Sequence, residues 1–164
     1  MEAFEMMPEG TFCQLINDVI IMSPAPTTPH ARVQRKIFSA LNNYVEAKKA
    51  GELFFAPVDV YLNKKNAFQP DIFYIGNDRK GIIKDKGIIG SPDLIVEILS
   101  KGNQKYDLND KKAVYEQSGV QEYWVVDPET KWCEGFVLVN GIYESLGEGN
   151  GRLTIKMFGL SISF

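Results

Sequence analysis

An acidic residue interrupts an apolar run at residues 92–99, which read Pro-Asp-Leu-Ile-Val-Glu-Ile-Leu. The length of this run and its β-branched residues predict a buried strand. Side chains alternate along a strand, so Asp93 and Glu97 are expected on the same face as Ile95. A buried ionised carboxylate requires a partner, which is either a divalent cation or a lysine or arginine. Glu97 is therefore a candidate metal ligand, and a structural ion pair is the alternative.

A second acidic residue, Asp71, follows Gln69-Pro70 and precedes another apolar run, Ile-Phe-Tyr-Ile at residues 72–75. Two carboxylates on neighbouring strands can hold one Mg²⁺ or Mn²⁺ and leave positions for water and a phosphate oxygen. Asp93 is the rival of Asp71 for the first ligand position, because it shares a strand face with Glu97. A Pro-Asp pair ahead of a strand is also typical of an ordinary turn.

Lys111 occupies the apolar side of a predicted helix, three residues after Leu108 and three and four residues before Val114 and Tyr115. A lysine directed at the core is unfavourable unless it is paired. Beside a metal site, its ammonium group can orient the attacking water and stabilise the charge on a phosphorane. The alternative is an ion pair with Asp107, which explains the spacing but not the inward direction. Tyr115 itself is expected to be mainly a core residue.

His30 is the single histidine of the chain and lies at the start of a predicted helix. With Gln34 one turn further on, it is placed to contact a phosphate or a metal-bound water at the mouth of a site. The alternative is a helix cap or a buried, internally hydrogen-bonded histidine. One histidine cannot form a multi-histidine zinc site, so the chemistry must come from carboxylates, lysines and this residue.

The composition narrows the class of protein. The chain has 164 residues, of which 45% are hydrophobic and 24% charged, as expected for one globular domain over residues 1–164. The net charge of −3 argues against nucleic-acid binding by overall charge. No glycine-rich phosphate loop or Gly-x-Ser-x-Gly sequence is present, so no organic cofactor is expected. Two distant cysteines, an acidic start and short apolar runs predict a cytoplasmic protein outside the membrane.

The elements that must position these residues follow from the hydrophobic pattern. Helices are predicted over residues 2–7, over 29–49 with Thr28 as N-cap, and over 104–117. The segment 76–90 is predicted to be a loop, and the helix at 104–117 to be a crossover between two parallel strands. Strands are predicted over residues 11–16, 19–22, 52–62, 67–75, 92–99, 121–126, 132–139, 142–146 and 152–157.

The pattern resembles the PD-(D/E)XK nuclease superfamily, and more closely the restriction-endonuclease family that was long classed as a domain of unknown function. This resemblance implies an α/β fold with a mixed sheet flanked by helices, an N-terminal hairpin and a hairpin-rich C-terminal extension. It also implies a metal held by Asp71 and Glu97. The superfamily's usual lysine two residues after the glutamate is replaced here by Leu99, and Lys111 on the following helix is the matching position. The matching stretches are Met22-Ser-Pro24, His30, Gln69-Pro-Asp71, residues 92–100, Asp107 with Lys111 and Tyr115, and residues 119–128.

Two hypotheses of different class follow. The first is Mg²⁺-dependent hydrolysis of DNA by Asp71, Glu97 and Lys111, with His30 and Gln34 assisting at the phosphate. Superfamily analogy adds a homodimer, because double-strand cleavage usually needs two sites. The second is a catalytically weak nuclease-fold module that binds or regulates. A two-carboxylate glycosidase ranks last, because it has no use for an inward lysine.

Overall fold

The computed structural model describes residues 1–8, 10–100 and 106–164, and of residues 106–108 only the backbone. The chain begins with a short helix, α1 (Glu2–Glu5), followed by strands β1 (Cys13–Ile16) and β2 (Val19–Met22). These strands form the predicted antiparallel hairpin. Its turn residues Asn17 and Asp18 have φ of 50° and 66°, a left-handed conformation that these two residue types tolerate well.

Helix α2 (Thr28–Lys48) is the long helix expected from the sequence. Its N-cap is Thr27 rather than the predicted Thr28: the Thr27 side chain accepts from the His30 backbone N–H at 3.5 Å. Thr28 therefore takes the first helical position, one residue before Pro29. None of the helices within the described ranges, α2 included, combines the length and apolar character needed to cross a bilayer. The buried stripe of α2 contains His30, Val33, Ile37, Leu41 and Val45.

The prediction of two long strands, one on each side of residues 63–66, is wrong, because each predicted strand is two shorter strands in the structure. Residues 52–62 form the end of β3 (Gly51–Phe55) and most of β4 (Val60–Asn63), and residues 67–75 form parts of β5 (Asn66–Phe68) and β6 (Ile72–Gly76). Pro57 and Pro70 stand in the two gaps, and proline has no N–H for a strand ladder. At both prolines the chain leaves one sheet and enters the other.

The predicted loop at 76–90 is also wrong, because it contains regular structure. A 3₁₀ helix (Asn77–Ile82) leads into two short strands, β7 (Ile83–Lys84) and β8 (Gly87–Ile89). β8 pairs in parallel with β4, and Ile88 is buried against it. Burial of this isoleucine in the core stabilises a strand that is too short to be recognised by its periodicity.

The parallel pair that carries Glu97 is confirmed. β9 (Leu94–Ile98) and β10 (Glu122–Val126) run parallel, with Glu97 opposite Val125. Between them lie a π-helix (Tyr106–Lys111) and helix α3 (Lys112–Ser118), which ends at Gly119 in the left-handed region with φ 85°. The predicted helix start at Gln104 lies outside the described residues. The alternative pairing of Lys111 with Asp107 depends on the Asp107 side chain, which is also outside the described part of the chain.

The C-terminal part is hairpin-rich, as expected. β11 (Trp132–Val139) and β12 (Ile142–Asn150) form one long hairpin, and β13 (Arg152–Ile155) pairs with β14 (Leu160–Ser163) in a second one. The strand predicted at 142–146 continues to Asn150, and β14 was not predicted. Leu160, Ile162 and Phe164 alternate with Ser161 and Ser163, a period-two pattern typical of a strand, and Ile162 is buried.

The described strands form two six-stranded mixed sheets and one small hairpin sheet. The central sheet has the order β12-β11-β10-β9-β6-β3, and the N-terminal sheet has the order β2-β1-β5-β4-β8-β7. One face of the central sheet packs against α2 and the β13–β14 hairpin around Val96 and Trp124. Its other face packs against α3 and the N-terminal sheet around Ile95 and Tyr123.

A close approach at Gly135 provides a test of this packing. A Cβ atom on Gly135 would overlap the Trp124 ring, which is itself held by a 2.8 Å hydrogen bond to Glu122. We expect Gly135→Ala to lower the free energy of unfolding by about 1–3 kcal/mol, the usual range for overpacking. Urea denaturation measures this loss. The control Gly81→Ala meets no atom within 4 Å and should stay within about 0.5 kcal/mol of wild type.

Candidate active site

The pairing of β6 and β9 brings two carboxylates together. The register pairs Ile72 with Val96, so the next position pairs Asp71 with Glu97. Residues directly opposite in an antiparallel pair have Cα atoms about 4.5–5.5 Å apart, with side chains on one face. The two acids therefore lie side by side at the end of the pairing, on the face that carries Ile95.

Asp71 is held by contacts to two elements, β9 and α2. Its Oδ2 accepts the Ile98 backbone N–H at 2.7 Å, and its Oδ1 lies 3.2 Å from His30 Nε2. The Gln34 side-chain amide donates to the Asp71 backbone carbonyl at 2.9 Å. The N-terminal part of α2 thus fixes both the backbone and the carboxylate of Asp71.

Glu97 is a buried carboxylate that accepts hydrogen bonds from Tyr115 on α3 and from Lys111, the residue directly before α3. Its Oε1 accepts from Lys111 Nζ at 3.0 Å and from the Tyr115 hydroxyl at 2.6 Å. Glu97 is 2% exposed and Lys111 3%, so the pair lies inside the protein. The inward direction predicted for Lys111 is confirmed. Tyr115 is a core residue as expected, but its hydroxyl also contacts the candidate ligand.

His30 carries a shifted pKa in this surrounding. Burial alone lowers the pKa of the imidazole, but the hydrogen bond to Asp71 and the negative charge of Asp71 outweigh it. The charge of Glu97 and the backbone of Ile98 add to the same effect, so the pKa of His30 is raised above its usual value. The protonated imidazole is therefore favoured next to Asp71.

Asp93 lies away from these residues. Its Oδ1 accepts from Arg79 Nη1 at 2.7 Å and its Oδ2 from the Gly76 backbone N–H at 2.8 Å. It precedes β9 by one residue and is separated from Glu97 by four residues, about 13 Å of strand. The structure thus separates Asp93 from the carboxylate pair, and its bonds attach the 3₁₀ helix to the sheet.

The five residues predicted from the sequence as catalytic line one pocket, whereas the rival metal ligand Asp93 does not. His30, Gln34, Asp71, Glu97 and Lys111 all face it. The pocket wall supplied by the N-terminal sheet was not predicted, because uncharged polar side chains in short strands form no distinctive sequence pattern. The further lining residues are Phe12, Gln14, Ser23, Pro24, Pro26, Ala56, Gln69, Ile98 and Ser100.

Gln14 and Gln69 connect that wall to Asp71. Gln14 donates to Ser23 Oγ at 3.2 Å and accepts from the Gln69 backbone N–H at 3.4 Å. The Gln69 side chain donates to Asp59 Oδ1 at 2.9 Å. These bonds hold the Gln69-Pro-Asp71 turn, so the hairpin supports the position of Asp71.

The donor set fits a hard cation that keeps much of its water. Among the residues that the structure describes, no three His, Cys, Asp or Glu side chains form a metal-ligand group. Asp71 and Glu97 supply two carboxylates in one pocket. Mg²⁺ is commonly bound through one or two carboxylates, several waters and a substrate phosphate, whereas structural zinc needs four protein ligands.

The fold and the site together define a class of protein, an α/β domain of the restriction-endonuclease-like type. The chain belongs to the Uma2 family, described as "Putative restriction endonuclease", whose pattern matches residues 1–163. A crystal structure from Anabaena variabilis, described as "a putative nuclease belonging to DUF820", has a similar fold with a TM-score of 0.79. The two chains are 20% identical, and the match covers 99% of this chain and 93% of that one. No protein of curated function matches the sequence.

Proposed function

We propose that this protein is a metal-dependent endonuclease that hydrolyses phosphodiester bonds in DNA. The single observation that supports this most strongly is the meeting of Asp71, Glu97 and Lys111 in one pocket, although they are far apart in sequence. Two carboxylates beside a buried lysine suit phosphoryl chemistry, which needs a bound cation and a cationic group at the phosphate. The family description supports nuclease chemistry as well.

Asp71 and Glu97 would hold the metal ion. Asp71 Oδ2 accepts from the Ile98 backbone N–H and its Oδ1 contacts His30. Glu97 Oε1 accepts from Lys111 and Tyr115. Fixed carboxylates bind a cation without first losing rotamer freedom. When bound, Mg²⁺ or Mn²⁺ supplies charge stabilisation at the phosphate and lowers the pKa of a coordinated water.

Lys111 would orient the attacking water and stabilise the negative charge that develops on the phosphate. An ammonium group carries three N–H donors on a flexible stem, so it can turn from Glu97 towards a water in the pocket. Its low exposure matters, because a charge in a water-poor site acts more strongly than at the surface.

His30 and Gln34 take different parts in this proposal. His30 lies at the pocket with its Nε2 3.2 Å from Asp71 Oδ1, where the imidazole would meet an entering phosphate or a metal-bound water. The Gln34 amide nitrogen is used on the Asp71 carbonyl. We therefore assign Gln34 to the positioning of Asp71 rather than to direct contact with phosphate.

Local charge on α2 is compatible with DNA as the substrate despite the acidic chain. Arg32, Arg35 and Lys36 are exposed on the helix that carries His30. Such side chains can contact phosphates next to the cleaved bond and release counterions. Cleavage of both strands would need a second active site, so we propose a homodimer as the acting form.

The test is nicking of supercoiled plasmid with Mg²⁺, Mn²⁺ or EDTA, comparing Asp71→Asn with Asp93→Asn. We expect wild-type protein to nick only with metal and Asp71→Asn to lose at least about 100-fold in rate, because a metal ligand is removed. Asp93→Asn should keep the rate and lose about 1–2 kcal/mol of stability with its charged hydrogen bonds.

The two outcomes separate the candidate ligands. Equal activity of wild type and Asp71→Asn, or loss in Asp93→Asn alone, would contradict the proposed site. Metal and DNA binding without cleavage in wild-type protein would favour the alternative, a nuclease-fold module that binds or regulates.

A further inference from the structure

Tyr115 shares its hydrogen-bond acceptor with Lys111. The hydroxyl lies 2.6 Å from Glu97 Oε1, the same oxygen that Lys111 Nζ contacts at 3.0 Å. The two residues are one helical turn apart, so both donors reach the strand from one side. Two protein donors therefore converge on one oxygen of a proposed metal ligand.

The surroundings of Tyr115 make it the more rigid of the two donors. The side chain is fully buried, with Phe68 edge-on at 5.4 Å and Tyr123 at 5.3 Å between ring centroids. A packed tyrosine ring has two side-chain torsions, whereas lysine has a flexible four-carbon stem. A phenol also adds no charge. Tyr115 therefore orients the Glu97 carboxylate, while Lys111 compensates its negative charge.

We propose that Tyr115 is a positioning residue that keeps the Glu97 carboxylate oriented for a metal ion when Lys111 turns towards the attacking water. This inference rests on the proposed function, which requires Lys111 to serve the water as well as Glu97. A donor that Lys111 directs into the pocket is withdrawn from Glu97. The Tyr115 hydroxyl then still holds Oε1, so the carboxylate keeps its rotamer.

The direct test is Tyr115→Phe, which removes one oxygen and keeps the ring. We expect the Mn²⁺ dissociation constant, measured by titration calorimetry, to rise about 10–100-fold, the usual effect of removing a group that orients a metal ligand. Plasmid nicking should show a lower kcat with an unchanged KM for DNA. An unchanged dissociation constant would overturn the proposal.

The matched control is Tyr143→Phe. Tyr143 lies in the same core cluster, and its buried hydroxyl donates to the Val120 carbonyl at 3.0 Å, away from Glu97. This variant should lose stability and bind Mn²⁺ as wild type does. Equal losses of affinity in both variants would mean a general packing effect and would also overturn the proposal.

A rescue variant separates the donor from the ring. Replacing Tyr115 with 4-aminophenylalanine keeps an N–H donor at the ring's para position and should restore most of the Mn²⁺ affinity. This measurement also serves if the phenylalanine variant folds poorly. Failure of a well-folded rescue variant to bind Mn²⁺ better than Tyr115→Phe would overturn the proposal.

A double-mutant comparison tests whether Tyr115 and Lys111 share the task of holding Glu97. Because both groups donate to one oxygen, Tyr115→Phe should weaken Mn²⁺ binding more in a Lys111→Met background than in wild type. Equal losses in the two backgrounds would contradict the shared task.

The proposed function and the positioning role fail separately. If wild-type protein binds Mn²⁺ but never cleaves DNA, the proposed endonuclease function is wrong. Weaker Mn²⁺ binding by Tyr115→Phe would in that case still support the positioning role of Tyr115 at Glu97. If wild-type protein cleaves DNA with metal and Tyr115→Phe binds Mn²⁺ as tightly as wild type, the endonuclease function stands and the positioning role of Tyr115 is wrong.

Discussion

Glu97→Gln is expected to lower metal-dependent DNA cleavage by about three powers of ten while the fold stays intact. The glutamine keeps an oxygen that can accept from Lys111 and Tyr115, which lie 3.0 Å and 2.6 Å from Glu97 Oε1. It loses the negative charge that would attract a divalent cation. Loss of the cation removes several kcal/mol of transition-state stabilisation, and each 1.36 kcal/mol corresponds to about tenfold in rate.

Three measurements check this expectation. Plasmid nicking gives the rate, titration calorimetry gives the Mn²⁺ affinity, and urea denaturation shows whether the variant is folded. Both the rate and the affinity should fall in Glu97→Gln. Nicking that persists in this variant at the wild-type rate would contradict the role of Glu97 and point to a contaminating nuclease.

Glu122→Gln is the matched control for Glu97→Gln. Glu122 is also a buried glutamate of the central sheet, on β10, but it accepts from the backbone N–H groups of Lys156 and Met157 and from Trp124. This variant should lose about 1–3 kcal/mol of stability because charged hydrogen bonds are weakened. Its Mn²⁺ affinity should equal that of wild type. Together the two variants separate a ligand from a structural carboxylate.

The sequence predicts the parts of the site that depend on local periodicity. Glu97 is recognisable because it is charged within a strand of β-branched residues, and Lys111 because it lies on the apolar side of a helix. Each of these residues breaks a hydrophobic pattern, and such a break indicates a buried partner. The structure confirms that Glu97 and Lys111 partner each other at 3.0 Å.

The choice between Asp71 and Asp93 could not be made from the sequence. Alternation places Asp93 on the face of Glu97, but it says nothing of which strand pairs with which. The antiparallel register of β6 and β9 sets Asp71 opposite Glu97, and Arg79 binds Asp93 elsewhere. Pairing is a non-local property, because it depends on packing across the whole sheet.

The fold errors have the same origin. Residues 52–62 read as one strand because each half is apolar, yet the chain changes sheets at Pro57. The short strands β7 and β8 exist because Ile88 is buried by the neighbouring β4, and no local pattern reports that neighbour. Long elements such as α2 were predicted well because the hydrophobic periodicity of their own residues is enough to identify them.

Lys111→Met should lower cleavage by about 100–1000-fold and yet strengthen metal binding. The loss of rate follows from removal of a buried cation that stabilises charge in the transition state. The gain in affinity follows because the ammonium and a metal ion both compensate Glu97, 3.0 Å from Lys111 Nζ, so they compete electrostatically. Methionine matches the length of the lysine stem, which limits the disturbance of packing.

The thermal unfolding midpoint with and without Mn²⁺ shows whether Lys111→Met strengthens or weakens metal binding. Without metal, Lys111→Met should be destabilised, because the buried Glu97 has lost a cationic partner. Added Mn²⁺ should therefore raise the midpoint further in this variant than in wild type, since binding to the folded state alone stabilises it. The control Lys112→Met removes a neighbouring lysine that lies 3.6 Å from the Phe136 ring centroid. It should change neither the rate nor the Mn²⁺ shift. Weaker Mn²⁺ binding in Lys111→Met would instead mean that Lys111 serves only to orient Glu97, and the charge-based role at the phosphate would have to be abandoned.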